Sequence, residues 1–339
     1  QIEVGIDADT GRDLHRAAND GLGAEFRPVE ERTRGGEREA PAGTDADDPV
    51  LGLQHVAIAG QHQAHILVGH GHHRFELRPS YRAIKHLPLA ERVAVMRDSA
   101  RKAAILSEAD DRTGADPNLL QLVDLYTAKM RTVFPLSPPL DYEPGPDKTL
   151  GALADAAGVS EEAYLYDHLI ANGGRNLIAM FGCNYVDGDL EAVREMLENP
   201  AVISGLSDAG AHAKFICDSA LPSWQLAFWT RDRQRGPKIP VETIVRKLSA
   251  ASAELYGMDD RGTLEVGKRA DINVIDHGRL KLELPEMLTD LPTGAPRLIQ
   301  RATGYLATIV NGVLTRRNDE ETGARPGRLV RSKAAVSAP

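Results

Sequence analysis

Apolar residues recur along this chain at two spacings, helical over 87–109, 149–170 and 190–198 and strand-like over 176–181 and 201–206. In the first stretch Pro88 suits an opening helical turn, and Leu89, Val93 and Met96 share one face. Asp98-Ser99 divides that stretch into two helices. Thr149 to Gly158 predicts a short helix with Leu150, Leu153 and Ala157 on one side and a glycine stop. Ser160 caps a second helix, and His168 within it reads as a packing or surface residue. Between these helical stretches, residues 132–146 are dense in proline and predict a loop or extended connection.

Asn176 to Phe181 has the length and composition of a buried strand, with Gly182-Cys183-Asn184-Tyr185 as its exit. Asp189 can cap the helix that follows, whose Leu190, Val193 and Leu197 form an apolar stripe. Asn199-Pro200 stops that helix, and Ala201 opens a second strand. This strand–helix–strand order predicts parallel β/α construction. Trp224 to Trp229 begins another helix, and Pro240 initiates one that closes at Gly257. The C-terminal region changes period. Gly267 makes a turn into a strand with Ile272, Val274 and Ile275, and 303–314 predicts a hairpin with Asn311-Gly312 at its tip. Asp271 and Asp276 read as structural there.

The first 74 residues stand apart. From Asp7 to Asp48 the chain is crowded with charge, glycine and proline and sustains neither period, which predicts disorder. A histidine-rich tract follows, holding His55, His62, His65, His70, His72 and His73. The abrupt change of composition reads as mis-translated or otherwise foreign sequence joined to the rest. Gln1 in place of a methionine reads as an incomplete start.

Composition narrows the class. The chain has 339 residues, a net charge of −9 and 26 % charged residues, values expected of an acidic globular protein with room for a full core. No basic excess points to nucleic acid, and no apolar run reaches the length of a membrane span. The N-terminus lacks the basic and apolar regions of a signal peptide. Two cysteines, Cys183 and Cys217, form no disulfide framework and suit a reduced cytoplasm.

Candidate chemistry centres on 201–218. Val202, Ile203 and Leu206 give way to Ser207-Asp208-Ala209-Gly210-Ala211-His212. A carboxylate leaving a buried parallel strand stands where α/β barrels keep catalytic groups. On spacing alone, Asp208 could equally cap the next helix or open a turn. His70-Gly-His72 has the spacing with which two imidazoles on a strand end can share one zinc. Its surroundings lack a preceding buried strand, and the tract reads instead as a histidine-rich coil that binds metal adventitiously.

Several ordered segments carry a resemblance. They are Arg78-Pro-Ser-Tyr-Arg82, Leu87-Pro-Leu-Ala-Glu-Arg92, Gly205-Leu-Ser-Asp-Ala-Gly-Ala-His212, Glu254-Leu-Tyr-Gly257, the run from Gly267 to Asp276, and Gly323-Ala-Arg-Pro-Gly327. From about Phe75 onward the chain resembles the C-terminal half of the N-acyl-D-amino-acid deacylase (D-aminoacylase-like) branch of the amidohydrolase superfamily. The resemblance implies the C-terminal part of a (β/α)8 TIM-like barrel over 75–257, with the N-terminal barrel strands missing or replaced. It implies part of a small β-sandwich domain over 258–330 and a tail over 331–339.

It also implies a zinc-dependent hydrolase of linear amides acting on a small-molecule substrate, with Asp208 as general acid/base beside the metal or as a metal ligand. Ser207, His212 and Asn184 are the candidate substrate contacts: Asn184 stands at a strand exit and could line the pocket of Asp208, while His212 follows Asp208 closely and could equally pack locally. The main zinc ligands of the family fall in the part of the barrel this chain lacks, and Cys183 is not one of them. Lys214 is the sole lysine or arginine between Asp208 and Arg231, so the arginine with which D-aminoacylases can clamp a substrate carboxylate has no counterpart in this loop. Two alternatives remain at this point. One is a cyclic-amide hydrolase of the hydantoinase or dihydroorotase type; the other is a non-catalytic remnant, stable only with a partner. The oligomeric state is not legible in the sequence.

Overall fold

A computed structural model describes residues 57–59, 64–67, 74–181, 184–205 and 218–330. The histidine pair His70 and His72, most of the 201–218 segment and the expected tail lie outside the described residues. The chain divides into two compact units, one holding 57–241 and 282–301, the other holding 242–281 and 302–330 among the described residues.

In the first unit the helical periods become α1 (Pro79–Arg82), α2 (Leu89–Met96), α3 (Ser99–Ser107), α4 (Pro117–Lys129), α5 (Leu150–Ala157) and α6 (Glu161–Ile170). The expected break between α2 and α3 is real. Asp98 stands in extended backbone and accepts a hydrogen bond from the Arg101 amide, as an N-cap does. Thr149 and Ser160 cap α5 and α6 in the same way, and Gly158 closes α5 in the left-handed conformation at φ 67°. Pro88 sits one residue earlier than the sequence suggests, at the N-cap itself.

The core of this unit gathers Phe75, Tyr81, Met96, Ile105, Leu150, Tyr166 and Leu169, all essentially without solvent contact. Tyr166 packs edge-on against Phe75 at 5.6 Å and donates to the Met96 carbonyl at 2.8 Å, tying α6 to the end of α2. Burial of each such side chain contributes roughly 1.5–3 kcal/mol.

The polar side chains of the Arg78–Arg82 segment are spent on this framework. Arg78 and Arg74 both pair with Asp110 and with Glu162, over 2.7–3.0 Å. Ser80 donates to Glu108, Arg92 donates to the Tyr81 hydroxyl, and Arg82 reaches Asp111. Residues 74–82 are thereby clamped to α6 and to the segment after α3.

The strands are β1 (Ala57–Ala59), β2 (Ala64–Leu67), β3 (Phe134–Leu136), β4 (Leu177–Phe181) and β5 (Val202–Ser204). Helix α7 (Glu191–Glu198) lies between β4 and β5 and buries Val193 and Leu197, with Leu190 buried at its N-cap, the stripe read from sequence. Asp189 accepts from the Glu191 amide at 2.9 Å, satisfying one of the first-turn donors.

The pairing differs from the expected parallel unit. β4 is central in a three-stranded antiparallel sheet, order β2–β4–β3, while β5 pairs in parallel with β1. Both edges of β4 are occupied, so β5 has no free edge of β4 to join. β3 lies within the proline-dense connection. Pro135 can stand there because β3 is an edge strand, where a missing amide donor is tolerated. Later in this unit β7 (Glu286–Leu288) pairs antiparallel with β8 (Arg297–Ile299), while β6 (Ile272–Ile275) lies in the other unit.

Helix α8 (Leu221–Ala227) begins three residues before the expected Trp224 and passes directly into a π-helical turn, Phe228–Asp232. The helix expected from Pro240 to Gly257 is two helices, α9 (Val241–Leu248) and α10 (Ala250–Leu255). Ser249 separates them with φ −129° and ψ −85°, outside the helical region.

In the second unit β6 (Ile272–Ile275), β9 (Tyr305–Val310), β10 (Val313–Arg317) and β11 (Glu320–Glu321) form an antiparallel sheet in the order β11–β10–β9–β6. Asn311 and Gly312 take φ 52° and 77° at the β9–β10 turn, the left-handed pair that a two-residue hairpin needs. Asp271 accepts from the Asn311 amide at 2.7 Å and Asp276 from the Arg279 amide at 3.2 Å, so both have the structural roles read from sequence.

Gly304 has φ 114°, and a Cβ there would lie 2.8 Å from the Leu280 Cα. Backbone cannot yield as a flexible side chain can. Gly304→Ala is therefore expected to destabilise the protein by more than about 1 kcal/mol, read as a lower thermal midpoint in calorimetry.

Candidate active site

The candidate residues read from the sequence fall after two strands, β4 and β5, which belong to different sheets. At the first, Asn184 is half-buried and adopts φ 58°. Asparagine tolerates this conformation better than most residues because its short amide bonds locally. Tyr185 follows and turns inward, its ring 4.5 Å from Phe181 and 6.0 Å from Phe134. Its hydroxyl donates to the Pro144 carbonyl at 2.6 Å, and burial pushes the phenol above its ordinary pKa, so it remains a donor.

At the second exit, the Ser204 hydroxyl donates to Gln225 Oε1 at 2.6 Å. Gln225 is 1 % exposed on α8, which anchors the last residue of β5 to that helix. Ser207, Asp208 and His212 follow this anchored end and lie outside the described residues, as do His70, His72 and Cys183. The structure places Asn184 just past the end of β4.

A buried cluster beside the Asn184 exit has no forewarning in the sequence. Arg233 is wholly buried and meets Glu143, itself 3 % exposed, through two parallel bonds, Nε to Oε2 at 3.0 Å and Nη2 to Oε1 at 2.9 Å. The guanidinium also lies 4.9 Å from the Trp229 ring centroid. Glu143 Oε1 accepts from the Leu190 amide at 2.8 Å, just before α7. Glu191, held below its ordinary pKa chiefly by Arg194, adds a further contact to Arg233. In sequence, Glu143 lies in a proline-rich loop and Arg233 in a mixed-charge run, contexts that normally mean solvent.

His168, by contrast, is where the sequence put it. Its Nε2 donates to the Leu177 carbonyl at 2.7 Å, joining α6 to β4, and burial lowers its pKa from 6.5. With the folded pKa depressed, the unfolded chain binds the extra proton first as pH falls below about 6.5. Stability from this group is thus present above that pH and is lost on acidification toward the depressed value. Urea unfolding from pH 7 to 5 is expected to show a steeper acid loss in wild type than in His168→Gln.

The zinc that the resemblance implies needs three or four convergent ligands. Among the described residues no group of three or more histidine, cysteine, aspartate or glutamate side chains is arranged to hold a metal ion. These residues do not fit the ion by themselves. Among the described residues no helix is long and apolar enough to cross a membrane.

The amidohydrolase family model matches residues 29–316. Uncharacterized proteins of Mycobacterium tuberculosis (strain ATCC 25618 / H37Rv) and Mycobacterium bovis (strain ATCC BAA-935 / AF2122/97) are 34 % identical over 184 residues, covering 49 % of this chain. The match spans 29 % of the length of these relatives. Among solved structures, a D-aminoacylase mutant in complex with CuCl2 is similar at 19 % identity and a TM-score of 0.31, covering 59 % of this chain and 38 % of that one. A crystal structure of D-aminoacylase is similar at 21 % identity and a TM-score of 0.30, covering 57 % and 36 %. On the extent of the family match, the chain belongs to the amidohydrolase family.

Proposed function

We propose that the protein derives from a metal-dependent hydrolase of linear amide bonds, of the N-acyl-D-amino-acid deacylase type, in which Asp208 is the general acid/base. The observation that carries this reading is β5, a strand paired in parallel with β1 that ends at Ser204, four residues before Asp208. A carboxylate just past the C-terminal end of a parallel strand occupies the usual catalytic position of β/α enzymes. The family match supports the hydrolase class, and the Arg78-Pro-Ser-Tyr and Gly323-Ala-Arg-Pro-Gly segments favour the deacylase branch over cyclic-amide hydrolases.

In this scheme Asp208 takes a proton from the water that attacks the acyl carbon. It returns that proton to the amine nitrogen as the C–N bond breaks, leaving a carboxylic acid and a free amino acid. Asn184, Ser207 and His212 contact the substrate, and the metal is zinc.

The test combines elemental analysis of purified protein with an assay of N-acetyl-D-amino acids in the same sample. About one zinc per chain together with release of free D-amino acid supports the reading. Neither zinc nor turnover overturns it for this chain and favours the non-catalytic remnant.

A further inference from the structure

We infer that Glu143, Arg233 and Arg235 are positioning residues that set the conformation of segment 184–190 and thereby the presentation of Asn184 to substrate. The kinetic part of this inference rests on the proposed amide hydrolysis; the conformational part does not.

Three separated pieces of chain meet at this cluster. The loop before α5 supplies Glu143, the π-helical turn supplies the approach to Arg233, and 184–190 receives the bonds. The π turn closes with the Arg233 amide donating to the Phe228 carbonyl at 2.9 Å. Such turns cost regular hydrogen bonding and occur often at functional sites. Gly236 makes room for the guanidinium, since a Cβ there would stand 2.8 Å from Arg233 Cζ.

Each end of 184–190 is then held. At its far end Glu143 takes the Leu190 amide. Along its length Arg235 Nη1 donates to the Gly188 carbonyl at 2.7 Å and to the Tyr185 hydroxyl at 3.2 Å, while also reaching the Glu143 carbonyl at 3.0 Å. Tyr185 completes the circuit through Pro144. A packed hydrophobic cluster could fill the same volume, but it would not direct donors at backbone carbonyls of a turn. That directionality is what marks the cluster as a device for fixing one loop conformation. Asn184, with its left-handed backbone, immediately precedes Tyr185, so the contacts that hold Tyr185 bear on it through one peptide bond.

Arg235 is exposed, so its removal leaves no buried charge and the fold is expected to survive. The experiment uses the full chain and two variants, Arg235→Ala and the double replacement Glu143→Leu/Arg233→Met. Hydrogen exchange is followed by mass spectrometry, and N-acetyl-D-amino-acid hydrolysis is measured in the same preparations. The expected result is faster exchange over 184–190 by at least tenfold in both variants, with exchange in α5 and α6 unchanged. KM rises at least fivefold while kcat falls by less than half as much, and Arg235→Lys recovers most of the KM change. Unchanged exchange over 184–190 in both variants overturns the inference. So does a lower melting temperature accompanied by an unchanged KM, which is what a purely structural cluster gives. If the wild type itself lacks turnover, the deacylase reading fails while the exchange result still decides the positioning role.

Discussion

Asp208→Asn is expected to reduce turnover of N-acetyl-D-amino acids by about 10²–10⁴-fold, the range over which a positioned general acid/base contributes. The substitution keeps the shape of the side chain and removes its ability to carry a proton. Binding of substrate should change little, so the loss should fall on kcat. The thermal midpoint should stay close to that of wild type, because the carboxamide retains the hydrogen-bonding capacity of a turn or cap residue. This separates the two readings of Asp208 left open by its spacing. A cap residue replaced by asparagine loses little of anything; a catalytic carboxylate loses activity and keeps the fold. Steady-state kinetics together with calorimetry on the same samples decides between them.

The largest stability effect is expected at Arg233. Arg233→Met leaves the Glu143 carboxylate buried with the Leu190 amide as its main remaining donor, and an uncompensated buried charge costs about 3–5 kcal/mol. At the scale of a domain this size, that is a fall of the thermal midpoint on the order of 10 °C. The double replacement Glu143→Leu/Arg233→Met should recover most of the loss, because removing both charges also removes their desolvation cost. Denaturant unfolding of the two single variants and the double variant gives the coupling directly. A double variant no more stable than Arg233→Met would show that packing against Trp229, rather than the ion pair, dominates at this position.

Both predictions concern polar residues, and they differ in how far the sequence revealed them. Asp208 stands out because small residues interrupt an apolar strand around a single acid, a local pattern. The Glu143–Arg233 pair joins positions 90 residues apart, and each partner sits in a stretch that reads as surface. No window along the chain contains the information that they meet. The same holds for Ser204 and Gln225 and for the four charges of Arg74, Arg78, Asp110 and Glu162. The Arg78-Pro-Ser-Tyr segment carries part of the family resemblance, yet its side chains hold the framework.

The sequence by itself determined the elements whose causes are local. Caps at Asp98, Thr149 and Ser160, the left-handed stop at Gly158, the apolar stripe of α7 and the Asn311-Gly312 hairpin all follow from residues within a few positions of one another. Only the tertiary structure decided strand partnership and the fate of buried charge. β4 and β5 are each legible as strands, but β4 spends both edges on β2 and β3, and β5 pairs with β1. The break at Ser249 and the early start of α8 are absent from the apolar periodicity, although a proline in the first turn of α8 suits a helix start. The physical reason is range. Capping and turn geometry act through bonds that close over a few residues, whereas sheet edges and buried ion pairs are satisfied by whichever distant segment the folded chain brings to them.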